Sequence, residues 1–294
     1  MNPYLEAARP RTLPAAVAPV LVGTAAAEAA PGDLDPIRAL LALVVALALQ
    51  VAVNYANDYF DGVKGVDTEA RVGPRRAVAA GLVSPSGMKR AIVLALLVAA
   101  FAGLGLAALV GWELLLVGAA AVLATLGYSG GSRPYASAGL GEVFVFVFFG
   151  VVATVGSQYV QDGHVGLVAV LASLAMGALA TALLVVNNLR DIPTDAEVGK
   201  RTLAVRLGDA GTRTLYLVLV AAAFLVLIPL VLVTGEGWLL APVLTVVVAW
   251  RGIELVRHAP PGPRLIEALG YTAQAQLLFA LLLAGALLLT GGGR

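Results

Sequence analysis

Nine apolar runs separated by short polar stretches constrain this 294-residue chain more than any other feature. They fall near residues 13–30, 37–57, 90–110, 112–129, 139–160, 165–188, 214–234, 237–255 and 271–290. Most approach the ~20 residues that carry a helix across the hydrocarbon of a bilayer. In that solvent an isolated segment must satisfy its own backbone, so runs of this length predict helices. Composition agrees: 60% of residues are hydrophobic and 13% are charged, with a mean hydropathy of +0.92. A soluble globule of this size needs more polar surface. The expectation is therefore an all-α integral membrane protein, a single polytopic domain over residues 1–294 with nine transmembrane helices.

Several classes drop out. A net charge of +1 lacks the basic excess of a nucleic-acid binder. The absence of cysteine removes disulfides, thiolate metal sites and cysteine nucleophiles. Arg9 and Arg11 ahead of an Ala-rich run imitate a secretion signal, but Pro14 and Pro19 interrupt the run and Glu6 precedes it. That segment is read as the first membrane helix.

Charge sets the orientation. With the N-terminus in the cytoplasm and nine alternating crossings, seventeen of the nineteen Lys and Arg residues fall on the cytoplasmic side, leaving Arg38 and Arg294 opposite. The positive-inside rule expects such a bias. The same alternation puts the two largest polar stretches on the cytoplasmic side, at the ends of the second and sixth helices.

Those two stretches hold the chemistry. Residues 54–76, NYANDYFDGVKGVDTEARVGPRR, bring Asn54, Asn57, Asp58, Asp61 and Asp67 together with Lys64, Arg71 and Arg76. Residues 187–206, NNLRDIPTDAEVGKRTLAVR, carry Asn188, Asp191, Asp195, Lys200 and Arg201. The spacings i, i+3/i+4 and i+7 in the first, and i, i+3 and i+7 in the second, put each set on one helical face. Pro193 is expected to end or kink the second helix. Loops that only set topology account for Arg90, Arg213, Arg251 and Arg257. They do not account for the Asp columns, because acidic residues contribute little to orientation. Clustered carboxylates without His or Cys suit Mg²⁺, which takes one or two carboxylates and completes its shell with water and phosphate oxygens. Two such clusters with cations nearby indicate a diphosphate bound through metal and Lys/Arg, with any lipid tail along the helices.

At these residues the chain resembles the UbiA-type intramembrane prenyltransferases. The resemblance is carried in order by ARPRTLPAAVAPVLVGTA (8–25), NYANDYFDGVKGVDTEARVGP (54–74), YSGGSRPYASAGLGEVFVFVFFG (128–150) and NNLRDIPTDAEVGKRTLAVRLG (187–208). It is greatest to the branch acting on 1,4-dihydroxy-2-naphthoate in menaquinone synthesis. The resemblance implies nine helices around a central cavity and Mg²⁺ as cofactor. It implies polyprenyl diphosphate and 1,4-dihydroxy-2-naphthoate as substrates, with loss of CO₂ giving a demethylmenaquinol. Asp58, Asp61, Asp191 and Asp195 match its Mg²⁺-diphosphate ligands, with Asn57 and Asp67 in support. Lys64, Arg71, Lys200 and Arg201 match its phosphate- or carboxylate-binding cations, and Arg76 matches the cation of a GP-x-R pattern. Tyr128 and Tyr135, with Phe146 and Phe149, are candidates to flank an allylic cation; for the Phe pair, core packing is the simpler reading. Glu142 is a candidate for acceptor binding. The setting implied is a prokaryotic inner or plasma membrane among membrane lipid, N-terminus in and C-terminus out. The alternatives are another aromatic acceptor, such as 4-hydroxybenzoate or homogentisate, and a secondary transporter. A transporter would place its charges near mid-membrane, whereas these gather at one face.

Overall fold

The computed structural model describes residues 2–27, 33–65 and 76–291, and these form an all-helical bundle. A short helix α1 (Pro3–Ala7) leads into α2 (Pro14–Ala25), α3 (Pro36–Lys64), α4 (Pro85–Leu109) and α5 (Leu114–Gly127). Then come α6 (Gly141–Asp162), α7 (Leu167–Glu197), α8 (Leu203–Thr234, broken at Gly208), α9 (Gly237–His258) and α10 (Arg264–Gly291). Helices α2 to α10 coincide with the nine apolar runs. Seven of them are long and apolar enough to span a bilayer, while α2 and α5 have only 12 and 14 helical residues. At 1.5 Å per residue these two reach about 18 and 21 Å, short of the ~30 Å of hydrocarbon.

Local chemistry explains the ends. Asp35 accepts the amides of Ile37 and Arg38 ahead of Pro36, and Ser84 accepts that of Gly87 ahead of Pro85. Each is an N-cap followed by a proline that is already set for the first turn. At that end of α3, Arg38 also donates to the carbonyls of Val160 and Gln161, which ties α3 to the end of α6.

Helix α7 runs through the middle of the bundle, with 72% of its most apolar stretch buried against 22% for α3. Its Ala172, Ala175, Ala180 and Ala182 are all but inaccessible, and such small side chains let neighbouring helices approach closely. Met176 and Leu179 meet Val22, Leu227, Phe279 and Leu283 in one core cluster. Leu116, Phe101, Leu232 and Val247 point outward at more than 70% exposure, as a lipid-facing surface does. Thr125 is the sole buried residue of α5, so that helix is a thin wall with lipid on one side. The other side faces a cavity of about 270 Å³, lined also by α2, α3, α6 and α7. A π-helical stretch, Phe146–Val152, lies in the wall formed by α6.

Of the two outcomes expected at Pro193, an end to the helix is corrected: α7 continues helically through it to Glu197. The ring removes the bond to the carbonyl four residues back and crowds that carbonyl, while the helical turns on either side persist.

Candidate functional site

The polar ends of α3 and α7 meet at one end of the bundle. Asp61, one turn from the end of α3, is 4% exposed and accepts from Lys200 Nζ at 2.8 Å and from Arg76 Nη2 at 3.3 Å. Lys200 reaches it because the chain reverses immediately after α7. Gly199 takes φ +75°, and the amide of Lys200 returns to the carbonyl of Asp195 at 2.9 Å. A residue with a Cβ is strained in that left-handed conformation, so glycine suits the stop. Across the chamber, Asp191 is held in a two-pronged ion pair by Arg190, with both N–O distances 2.7 Å, and Arg190 also donates to Asn187. Asp195, Asn57, Asn188, Ser129 and Thr202 also line it.

The polar chamber opens onto the apolar cavity, since Asn57, Tyr128 and Asn187 line both. Tyr128 meets Tyr135 edge to face at 5.5 Å, and Tyr135 stacks on Phe144 at 4.0 Å. Burial pushes the Tyr135 phenol above its usual range. A phenol is neutral at physiological pH in either place. Glu142, 5% exposed, accepts from Asn188 at 2.9 Å. Beyond this neck Phe148 and Phe149 line an otherwise mostly aliphatic cavity.

Several sequence-derived candidates sit elsewhere. Asp58 accepts the amides of Ala77 and Val78 at 2.9 Å each and does not line the chamber, although its spacing suggested a ligand. Three residues of helix separate it from Asp61 by about 60° around the axis, enough to turn it toward the following loop. Asn54 is buried and donates to the carbonyl of Ala8 and to Thr12, fixing the N-terminal turn while lining the cavity. Lys64 donates to the carbonyls of Ser129 and Gly131 and lies over the Phe60 ring. Arg201 is exposed. Phe146 packs against the core rather than lining the cavity. Asp67 and Arg71 lie outside the described residues.

Two further cations belong to the site, although in the sequence each has no signal beyond its place in the charge topology. Arg190 is one. Arg9 is the other: it lines the cavity within electrostatic reach of Tyr128 and is the sole non-glycine among the described residues with positive φ, +52°. Such strain gathers at functional sites.

The donors present are hard oxygens: the carboxylates of Asp61, Asp191 and Asp195 and the amides of Asn57, Asn187 and Asn188. That set fits Mg²⁺. Among the described residues no three acidic or imidazole groups gather closely enough to hold an ion by themselves. The arrangement suits an ion whose shell is completed by phosphate and water.

The UbiA prenyltransferase family matches residues 16–269, and the chain belongs to that family. A 1,4-dihydroxy-2-naphthoate octaprenyltransferase of Mycobacterium tuberculosis is 47% identical, covering 97% of this chain and 96% of that protein. The protein of the same name from Escherichia coli is 44% identical over 71% of this chain and 70% of its own length. A UbiA homolog from Archaeoglobus fulgidus, solved bound to DMAPP and Mg²⁺, superposes with a TM-score of 0.67 over 97% of this chain and 98% of its own. At 15% identity that likeness speaks to the fold. The chain is thus a multi-pass membrane prenyltransferase.

Proposed function

We propose that the protein transfers a polyprenyl group from polyprenyl diphosphate to 1,4-dihydroxy-2-naphthoate, releasing diphosphate and CO₂ and giving a demethylmenaquinol. The observation that carries this reading is a carboxylate- and cation-lined chamber opening into an apolar cavity, in a chain 47% identical to a protein named for that reaction.

The two compartments divide the donor. Its diphosphate occupies the polar chamber and its tail the cavity between α5 and α6. Lys200 and Arg76 give the phosphate oxygens charge-assisted hydrogen bonds. Mg²⁺ held by Asp61, Asp191 and Asp195 would supply further stabilisation of charge on the leaving group. As the C–O bond breaks, the neutral Tyr128 and Tyr135 rings at the neck face the allylic cation, and the apolar walls exclude water that would quench it. Arg9 is placed to take the acceptor carboxylate, while Glu142 and Asn188 take a ring hydroxyl. The ring carbon bearing the carboxylate forms the new C–C bond, and loss of CO₂ returns the electron pair that restores aromaticity.

The chamber lies on the cytoplasmic face of a prokaryotic inner or plasma membrane, a placement that rests on the distribution of Lys and Arg. Purified protein in bilayers, given polyprenyl diphosphate with and without 1,4-dihydroxy-2-naphthoate, tests the function. Acceptor-dependent, Mg²⁺-dependent diphosphate release is expected. Ion-coupled uptake without a prenylated product would replace the reading with a transporter, and preference for 4-hydroxybenzoate or homogentisate would change the acceptor.

A further inference from the structure

The geometry points to Asp58 as a positioning residue, which seats the turn at residues 76–81 on α3 so that Arg76 is aimed into the diphosphate chamber; this rests on the function proposed above. Asp58 is 1% exposed, and its two oxygens are engaged by consecutive main-chain donors, Oδ2 by the amide of Ala77 and Oδ1 by that of Val78. The turn is closed by the amide of Ala80 on the carbonyl of Arg76 at 2.9 Å, and by Leu82 and Val83 on that of Ala77. It then lies flat on α3 at Gly62. A Cβ there would stand 2.9 Å from the Val78 side chain and 3.1 Å from the amide nitrogen of Ala79.

Three positions of one helical stretch thus do three jobs. Asp58 grips the main chain, Gly62 leaves room for it, and Asp61 receives the guanidinium of the residue just before the gripped amides. Because Ala77 and Val78 are fixed, the base of the Arg76 side chain is fixed with them. Its Nη2 meets Asp61 and lies 3.5 Å from Asn57 Oδ1. Asp58 acts through Arg76, and its carboxylate is spent on the loop rather than on a metal ion.

Asp58→Asn keeps the shape but puts an NH₂ where an amide must be accepted. It is expected to raise the KM for polyprenyl diphosphate about tenfold, as losing a charge-assisted bond at a binding cation does. The KM for the acceptor and the Mg²⁺ concentration giving half-maximal activity should stay within about twofold. In an Arg76→Ala background Asp58→Asn should add almost nothing, because residues acting as a unit are not additive. Gly62→Ala, an independent way to lift the turn, should reproduce the diphosphate-specific KM effect even if Asp58→Asn folds poorly. Amide hydrogen exchange gives a readout that does not depend on turnover: Ala77 and Val78 should exchange slowly in the wild type and fast in Asp58→Asn. A raised Mg²⁺ requirement in Asp58→Asn, additive losses with Arg76→Ala, or unchanged exchange would overturn the proposal. A wild type that releases no diphosphate would sink the proposed function instead, and the exchange result would then decide the anchor by itself.

Discussion

Replacing Asp61 with Asn removes one negative charge from a site where it faces two positive ones. The Asp61, Arg76 and Lys200 side chains are 5, 5 and 20% exposed, so water screens the three groups poorly. Removing one partner of a buried pair typically costs about 3–5 kcal/mol, because the remaining charge stays desolvated. Here Arg76 and Lys200 would also repel each other across the vacated position. At about 1.4 kcal/mol per factor of ten, the same energy applied to binding and ionisation of the diphosphate lowers kcat/KM by about a hundredfold or more. The assay is diphosphate release in bilayers at saturating acceptor, with thermal unfolding in detergent measured alongside. The double variant Asp61→Asn/Lys200→Met should recover part of the lost stability, since it removes a stranded cation, yet recover no activity. Asp61→Asn within about tenfold of wild type, at an unchanged Mg²⁺ requirement, would refute the electrostatic argument.

Three further outcomes follow from the geometry. Arg190→Met takes the guanidinium from a buried pair with Asp191 and should cost about 3–5 kcal/mol of stability, read as a fall in Tm; an unchanged Tm would mean the pair is not buried as described. The Tyr135 phenol, in the loop after α5, is raised by burial above its unfolded value of 10.0, so the folded state holds its proton where the unfolded chain has lost it. Its contribution to stability is complete below pH 10 and should decline above it, and Tyr135→Phe should flatten that decline in a denaturation series. Chelation of divalent ions should abolish turnover, restored by Mg²⁺, while leaving helical content by circular dichroism unchanged, because the helices are held together by apolar packing such as that of Met176 and Leu179 against Leu227 and Phe279.

What the sequence made legible was set by periods longer than one residue. Hydropathy located α2 to α10 because bilayer thickness selects runs of a given length, but it did not reveal that α2 and α5 are short. The pairing of residues 54–76 with 187–206 was visible as charge in an otherwise apolar chain, and Lys200 on Asp61 joins them in the structure. Individual roles were harder to read. Helical spacing grouped Asp58 with Asp61, yet a 60° offset sends one to a loop and the other to the chamber. Arg190 and Arg9 were hidden because a cation that sets topology and one that holds a site look alike in sequence. Pro193, expected to end or kink its helix, does not end it, since one missing hydrogen bond does not stop a helix packed along most of its length.

The most direct test of the account is the mass of the product formed from 1,4-dihydroxy-2-naphthoate and a polyprenyl diphosphate of defined length. The account predicts a product equal to the acceptor plus one prenyl chain, less CO₂, formed only with Mg²⁺ present and lost in Asp61→Asn. A product that retains the carboxylate, or no prenylated product while the same protein moves substrate across the bilayer, would contradict it.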